Sequence, residues 1–103
     1  MATLSKAAAQ SRLNDVPEEK RFWCHDGRYL KNLEEMETAL EQMDEDTFRY
    51  HSNETKTDFS NWVRDVIGDE KLARELLGCA GASQAAMSVS KRLAWLKSRA
   101  AAA

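Results

Sequence analysis

The chain has 103 residues, of which 43% are hydrophobic and 31% charged, with a single proline and four glycines. That is the make-up of one folded domain, and it argues against a disordered or low-complexity protein. The formal net charge of −2 weighs against a protein that coats nucleic acid by bulk charge alone.

The charge is unevenly placed. Residues 15–58 hold 13 acidic and 6 basic side chains, whereas residues 59–103 hold 4 acidic and 7 basic. An acidic front and a basic tail suit head-to-tail self-association or an anionic partner at the tail. The plainer reading is two solvated faces of opposite sign. Two cysteines, Cys24 and Cys79, are too few for a disulfide scaffold and point to a reducing compartment. No apolar run approaches the ~20 residues of a membrane span. Met1 to Gln10 has no apolar core of a secretory signal, so the expected location is the cytoplasm.

In chain order, residues 1–20 read as an N-terminal arm or docking helix. Residues 2–13 (ATLSKAAAQSRL) permit a helix, and Asn14 to Pro17 ends it, because the residue before proline is biased away from helix. Residues 21–78 read as a helical core domain. It opens on Phe22, Trp23 and Cys24, then Asp26-Gly27, then Tyr29 and Leu30. This predicts a short aromatic β-hairpin, or an extended loop, around a turn that needs positive φ. The clearest helix is 33–43. Asn32 is its cap, Glu35 completes a capping box, and Leu33, Met36, Leu40 and Met43 share a face.

Asp44 caps a short helix carrying Phe48, Tyr50 and His51. After the polar loop 52–57, Asp58 caps a helix with Phe59, Trp62, Val63, Val66 and Ile67 on one stripe. Gly68 stops it. Asp69 starts another helix with Leu72, Ala73, Leu76 and Leu77 inward, ended by Gly78. Residues 79–103 read as a basic amphipathic helix capped by Ser83. Val89, Leu93 and Leu96 lie on one side, and Lys91, Arg92, Lys97 and Arg99 supply four positive charges without an acid. The predicted core is Phe22, Leu33, Met36, Leu40, Phe48, Phe59, Trp62, Val63, Val66, Leu72 and Leu76. The fold class is all-α or mainly α: a compact bundle of short helices with a long C-terminal helix.

The residues that carry chemistry give little. Cys24, His25, His51 and Cys79 lack the close spacing of a zinc site, and neighbours such as Cys24 and His25 point to opposite faces if extended. His51 with Asp58, or Cys24 with His25, matches no nucleophile–base signature. His51 instead reads as a partly buried histidine that ties the loop to the next helix. Gly78 and Gly81 make no phosphate-cradling loop. No catalytic residue, metal or cofactor is therefore expected.

The last helix is the exception. Residues 88–99 combine positive charge with Val89, Leu93, Trp95 and Leu96. Such a helix can enter a protein groove, track phosphates or lie on anionic lipid. Lys91, Arg92, Trp95, Lys97 and Arg99 are the candidate partner-binding residues. The expected function is a non-enzymatic protein-interaction or self-assembly module, with a homo-oligomer or a protein partner. The alternative is a nucleic-acid-binding accessory protein using Arg92, Trp95, Lys97 and Arg99.

Residues 22–77 also resemble a small domain family of unknown function from bacterial and archaeal proteins. The resemblance rests on Asp26-Gly27-Arg28, Leu30-Lys31-Asn32-Leu33-Glu34-Glu35 and Phe48-Arg49-Tyr50-His51. It continues through Asp58-Phe59-Ser60-Asn61-Trp62-Val63-Arg64-Asp65-Val66-Ile67-Gly68-Asp69. Relatives carry an asparagine where this chain has Thr57. Attachment of some relatives to larger carbohydrate-active proteins implies an accessory role, and the family brings no activity with it.

Overall fold

The computed structural model describes residues 4–101. It contains α1 (Lys6–Leu13), α2 (Leu33–Gln42), α3 (Glu45–His51), α4 (Asp58–Trp62), α5 (Glu70–Leu77) and α6 (Ala82–Ala100). Between α1 and α2 lie a 3-10 turn (Glu18–Lys20) and the hairpin strands β1 (Phe22–Trp23) and β2 (Tyr29–Leu30). The mainly helical class, the hairpin and the long last helix are all present. Of the arm predicted over residues 2–13, Ala2 and Thr3 lie outside the described residues, as do the last two alanines.

Local chemistry places most boundaries. Asn32 Oδ1 accepts the Glu35 N–H at 2.8 Å, while Glu35 Oε1 reaches back to the Lys31 N–H at 2.9 Å. Asp44 and Asp69 accept the N–H groups of Thr47 and Leu72, which satisfies orphan donors of α3 and α5. These bonds to Thr47 hold the Asp44 carboxyl below its usual range. Gly27, at φ 101, closes the hairpin, with the Gly27 N–H on the Cys24 carbonyl.

Two predicted caps differ. Asp58 is the first residue of α4, and Thr57 is its cap without a side-chain bond; the Asp58 carboxylate turns to His51 and Lys56 instead. The last helix starts at Ala82 after an extended Gly81, so Ser83 lies inside the first turn. There the Ala80 N–H is taken by Gln84 Oε1 at 2.7 Å. That bond ties the chain ahead of the helix to its first turn, and no side chain caps the helix itself.

The predicted single helix from Asp58 to Ile67 is also divided. After Trp62 the chain widens into a π-helical turn, Val63–Ile67, closed by the Gly68 N–H on the Val63 carbonyl at 2.8 Å. An i→i+5 turn inserts one residue per turn relative to an α-helix. Ile67 is thereby buried, and Val66, placed in the core by the α-helical period, is only partly buried. Gly68 then turns the chain at φ 86.

Helix α6 packs along α2 and α1, and α5 lies across its other flank. The terminal segments contribute to the same buried cluster as the middle. Ala9 of α1 is buried, as are Ala82, Ala85, Ala86, Val89, Leu93 and Leu96 of α6. The Arg99 Nε–H donates to the Leu4 carbonyl at 2.8 Å, and Gln10 Nε2 donates to the Ala100 carbonyl at 3.3 Å. Those two bonds join the N-terminal helix to the end of the chain. Among the described residues no helix is long and apolar enough to cross a membrane.

Candidate functional site

Two surfaces stand out. The first is centred on His51, at the C-terminal end of α3. Its ring is 1% exposed and sits among Phe22, Phe59, Trp23 and Tyr50, at centroid distances of 5.0 to 5.9 Å. Nε2 accepts the His25 backbone N–H at 2.9 Å. A ring nitrogen that accepts carries no proton, so the proton is on Nδ1, which donates to Asp58 Oδ2 at 3.0 Å. Burial lowers the His51 pKa, and the Asp58 carboxylate offsets only part of that effect. His51 is therefore a neutral clamp joining hairpin, α3 and α4. Both ring nitrogens are engaged, and neither is left to take a proton from a substrate.

Around this clamp lies an open groove of about 480 Å³. Trp23 (45% exposed) and Tyr50 (41%) stand on one side of it. They meet edge to face, with centroids 5.9 Å apart. His25 stacks on Tyr50 at 4.0 Å, and Lys56 Nζ lies 4.1 Å from the Tyr50 ring centre. Asn61, Asp65 and Val66, from α4 and the π-turn, line the groove together with Arg21 and Asp58. Sequence reasoning placed Trp23 and Tyr50 in elements but missed the groove. The signal was present in the solvent-facing alternate position of Trp23 and in the Asp-Gly turn that folds the hairpin back.

The second surface is α6. Of its five candidate residues, three bond within the chain. Arg92 forms a bidentate pair with Asp69, at 2.7 Å (Nε to Oδ2) and 3.1 Å (Nη2 to Oδ1). Asp69 is fully buried, and Arg92 nearly so. Lys97 reaches Glu34 of α2 at 2.6 Å across an exposed surface, and Arg99 holds the Leu4 carbonyl. Lys91 is exposed and has no ion pair among the described residues. Trp95 is 41% exposed and carries the Arg92 guanidinium 4.5 Å from its ring centre.

Met87, Lys91 and Trp95 are spaced at i, i+4 and i+8, so they share one outward face, opposite the buried stripe of Val89, Leu93 and Leu96. Beside them runs a second open hollow of about 540 Å³ between α5 and α6. It is lined by Lys71, Glu75, Cys79, Met87, Lys91 and Arg92, among others.

Other reactive groups are quiet. Cys24 is fully buried, and desolvation raises its pKa above the ordinary thiol value, which suppresses the thiolate. Cys79 is a free thiol on the Glu75 carbonyl at 3.4 Å. Among the described residues no three His, Cys, Asp or Glu side chains converge as a metal site would require. No family model, no curated protein and no solved structure matches this chain.

Proposed function

We propose that this chain is a non-enzymatic interaction module that binds a protein partner, or a second copy of itself, through the outer face of α6. The observation that carries the reading is the exposed stripe of Met87, Lys91 and Trp95 on a helix whose opposite side closes the core. A long thioether and an indole presented on one rigid face are the side chains that anchor protein interfaces. The hollow beside them gives a partner side chain somewhere to insert.

The charges favour a protein partner over nucleic acid. Arg92, Lys97 and Arg99 already bond within the fold. Of the predicted cations on this helix, Lys91 alone remains to meet phosphates, and one contact gives a shallow salt dependence. Membership of the accessory-domain family that residues 22–77 resemble is part of this proposal and adds no chemistry to it.

The test compares the native chain with a Met87→Glu/Trp95→Glu variant. Both positions are exposed, so the variant should keep its helical circular dichroism. Sedimentation velocity at rising concentration should show self-association, or affinity capture should retain a defined partner, and the variant should lose whichever is seen. A monomer at every concentration, with the same captured proteins for both baits, would sink the reading.

A further inference from the structure

The hairpin edge carries an opening that the α6 surface does not explain. The Cys24 N–H donates to the Arg28 carbonyl at 2.8 Å. Residues 24 and 28 are therefore a hydrogen-bonded pair of the antiparallel ladder. Bonded and non-bonded pairs alternate. Phe22 and Leu30 form the next bonded pair, and the Trp23–Tyr29 pair between them is non-bonded. The Trp23 N–H and C=O therefore point to the free edge of β1.

On the β1 edge, the outward N–H groups on either side of Trp23 are met without a third strand. The His25 N–H is taken by His51 Nε2, and the Arg21 N–H by the Glu18 carbonyl. On the far edge the Val16 N–H reaches the Lys31 carbonyl. Trp23 is the gap. Neither its N–H nor its C=O has a hydrogen-bond partner among the described residues. The groove of about 480 Å³ lined by Trp23, Tyr50, Asn61 and Val66 lies at this position.

We propose that the edge of β1 at Trp23 receives an extended, largely uncharged peptide segment. Its backbone bonds the Trp23 main chain, and an apolar side chain lies in the groove between the Trp23–Tyr50 pair and the π-turn. An exposed N–H and C=O on a single strand residue match the donor–acceptor pair of another polypeptide, which is how a peptide adds to a sheet edge. The charges of the groove argue for a neutral segment. Arg21 and Lys56 balance Asp58 and Asp65. Lys56 is held 3.3 Å from Asp58, and Asp65 is held by Arg64 at 2.8 Å. Among these cations only Arg21 has no carboxylate within ion-pair distance among the described residues, which is little to hold a polyanion. The π-turn supports the assignment, since such turns concentrate at functional sites. This site is separate from the α6 face, and either can fail without the other.

The probe is a phage-displayed library of short linear peptides, panned on the full chain. An enriched peptide, made synthetically, should shift the backbone amide resonances of Trp23, Tyr50 and Asn61. N-methylation of one of its amides should weaken binding by about tenfold or more, because a main-chain hydrogen bond is lost. Asn61→Trp fills the groove from an exposed position and should weaken binding as much, with the thermal midpoint unchanged. The proposal is overturned by no enrichment above bare resin, or by shifts confined to the Met87–Trp95 face. Binding indifferent to both N-methylation and Asn61→Trp overturns it too.

Discussion

At the residue scale, two buried polar side chains hold the fold together, and each makes a measurable prediction. His51 is neutral in the folded chain, with its pKa lowered chiefly by burial. In the unfolded chain it titrates near its ordinary value of about 6.5. Between those two values the unfolded state binds more protons, so stability falls as pH falls. The contribution of neutral His51 is complete above the unfolded value and is lost progressively below it, until the folded group itself protonates. Protonation of Nε2 also ends its acceptance of the His25 N–H. Urea midpoints should be flat above about pH 7.5 and decline below about pH 6.5. His51→Phe should remove most of that decline, while costing roughly 1–3 kcal/mol at neutral pH for the stranded His25 N–H.

The Asp69–Arg92 pair is the second. Asp69 caps α5 and also holds the guanidinium from α6. Asp69→Ala should cost about 3–5 kcal/mol, because it leaves a nearly buried cation unpaired. In a double-mutant cycle with Arg92→Ala, the combined loss should be clearly smaller than the two single losses added together. Additive losses would show that the pair contributes no coupling.

Elements respond to backbone geometry. Gly68 closes the π-turn at φ 86 with open space around it. Gly68→Ala meets no clash but adopts a conformation that disfavours a Cβ, so it should lower stability by roughly 1–2 kcal/mol. Chemical denaturation with an unchanged m-value is the check. The π-turn itself was not legible in the sequence. Phe59, Trp62, Val63 and Val66 satisfy an α-helical stripe, and nothing in their order announces an inserted residue. The residues that lead into the turn are fixed by distant partners, with Ser60 Oγ–H on the Ala73 carbonyl at 2.7 Å and the Trp62 Nε1–H on the Lys20 carbonyl at 2.8 Å. Those partners lie 13 and 42 residues away. Capping by Asn32, Asp44 and Asp69 was legible, because each cap acts over three residues. Asp58 misled because His51 and Lys56 claim its carboxylate, and Ser83 because the helix starts one residue earlier, after the extended Gly81.

For the whole molecule, α1 is the informative element. Its apolar content is low, and it could have been an arm. Ala9 is fully buried, and the helix packs on α6. Ala9→Leu should overpack that contact and cost about 1–3 kcal/mol. A thermal midpoint equal to that of the native chain would show that α1 docks loosely.

The order of helices, the caps at Asn32, Asp44 and Asp69, the hairpin and most of the buried apolar positions follow from the sequence, because period, cap and turn act over a few neighbouring residues. The basic helix was legible too, but the fate of its charges was not. Whether Arg92 meets a phosphate or Asp69, and whether Lys97 meets a partner or Glu34, depends on which helix lies alongside. Those partners are 23 and 63 residues distant in the chain. The groove at Trp23 is of the same kind, since its two sides are 38 residues apart between Trp23 and Asn61 and meet only through packing. Local patterns specify elements, and only the packed core decides which polar groups are consumed inside the molecule and which are left facing outward.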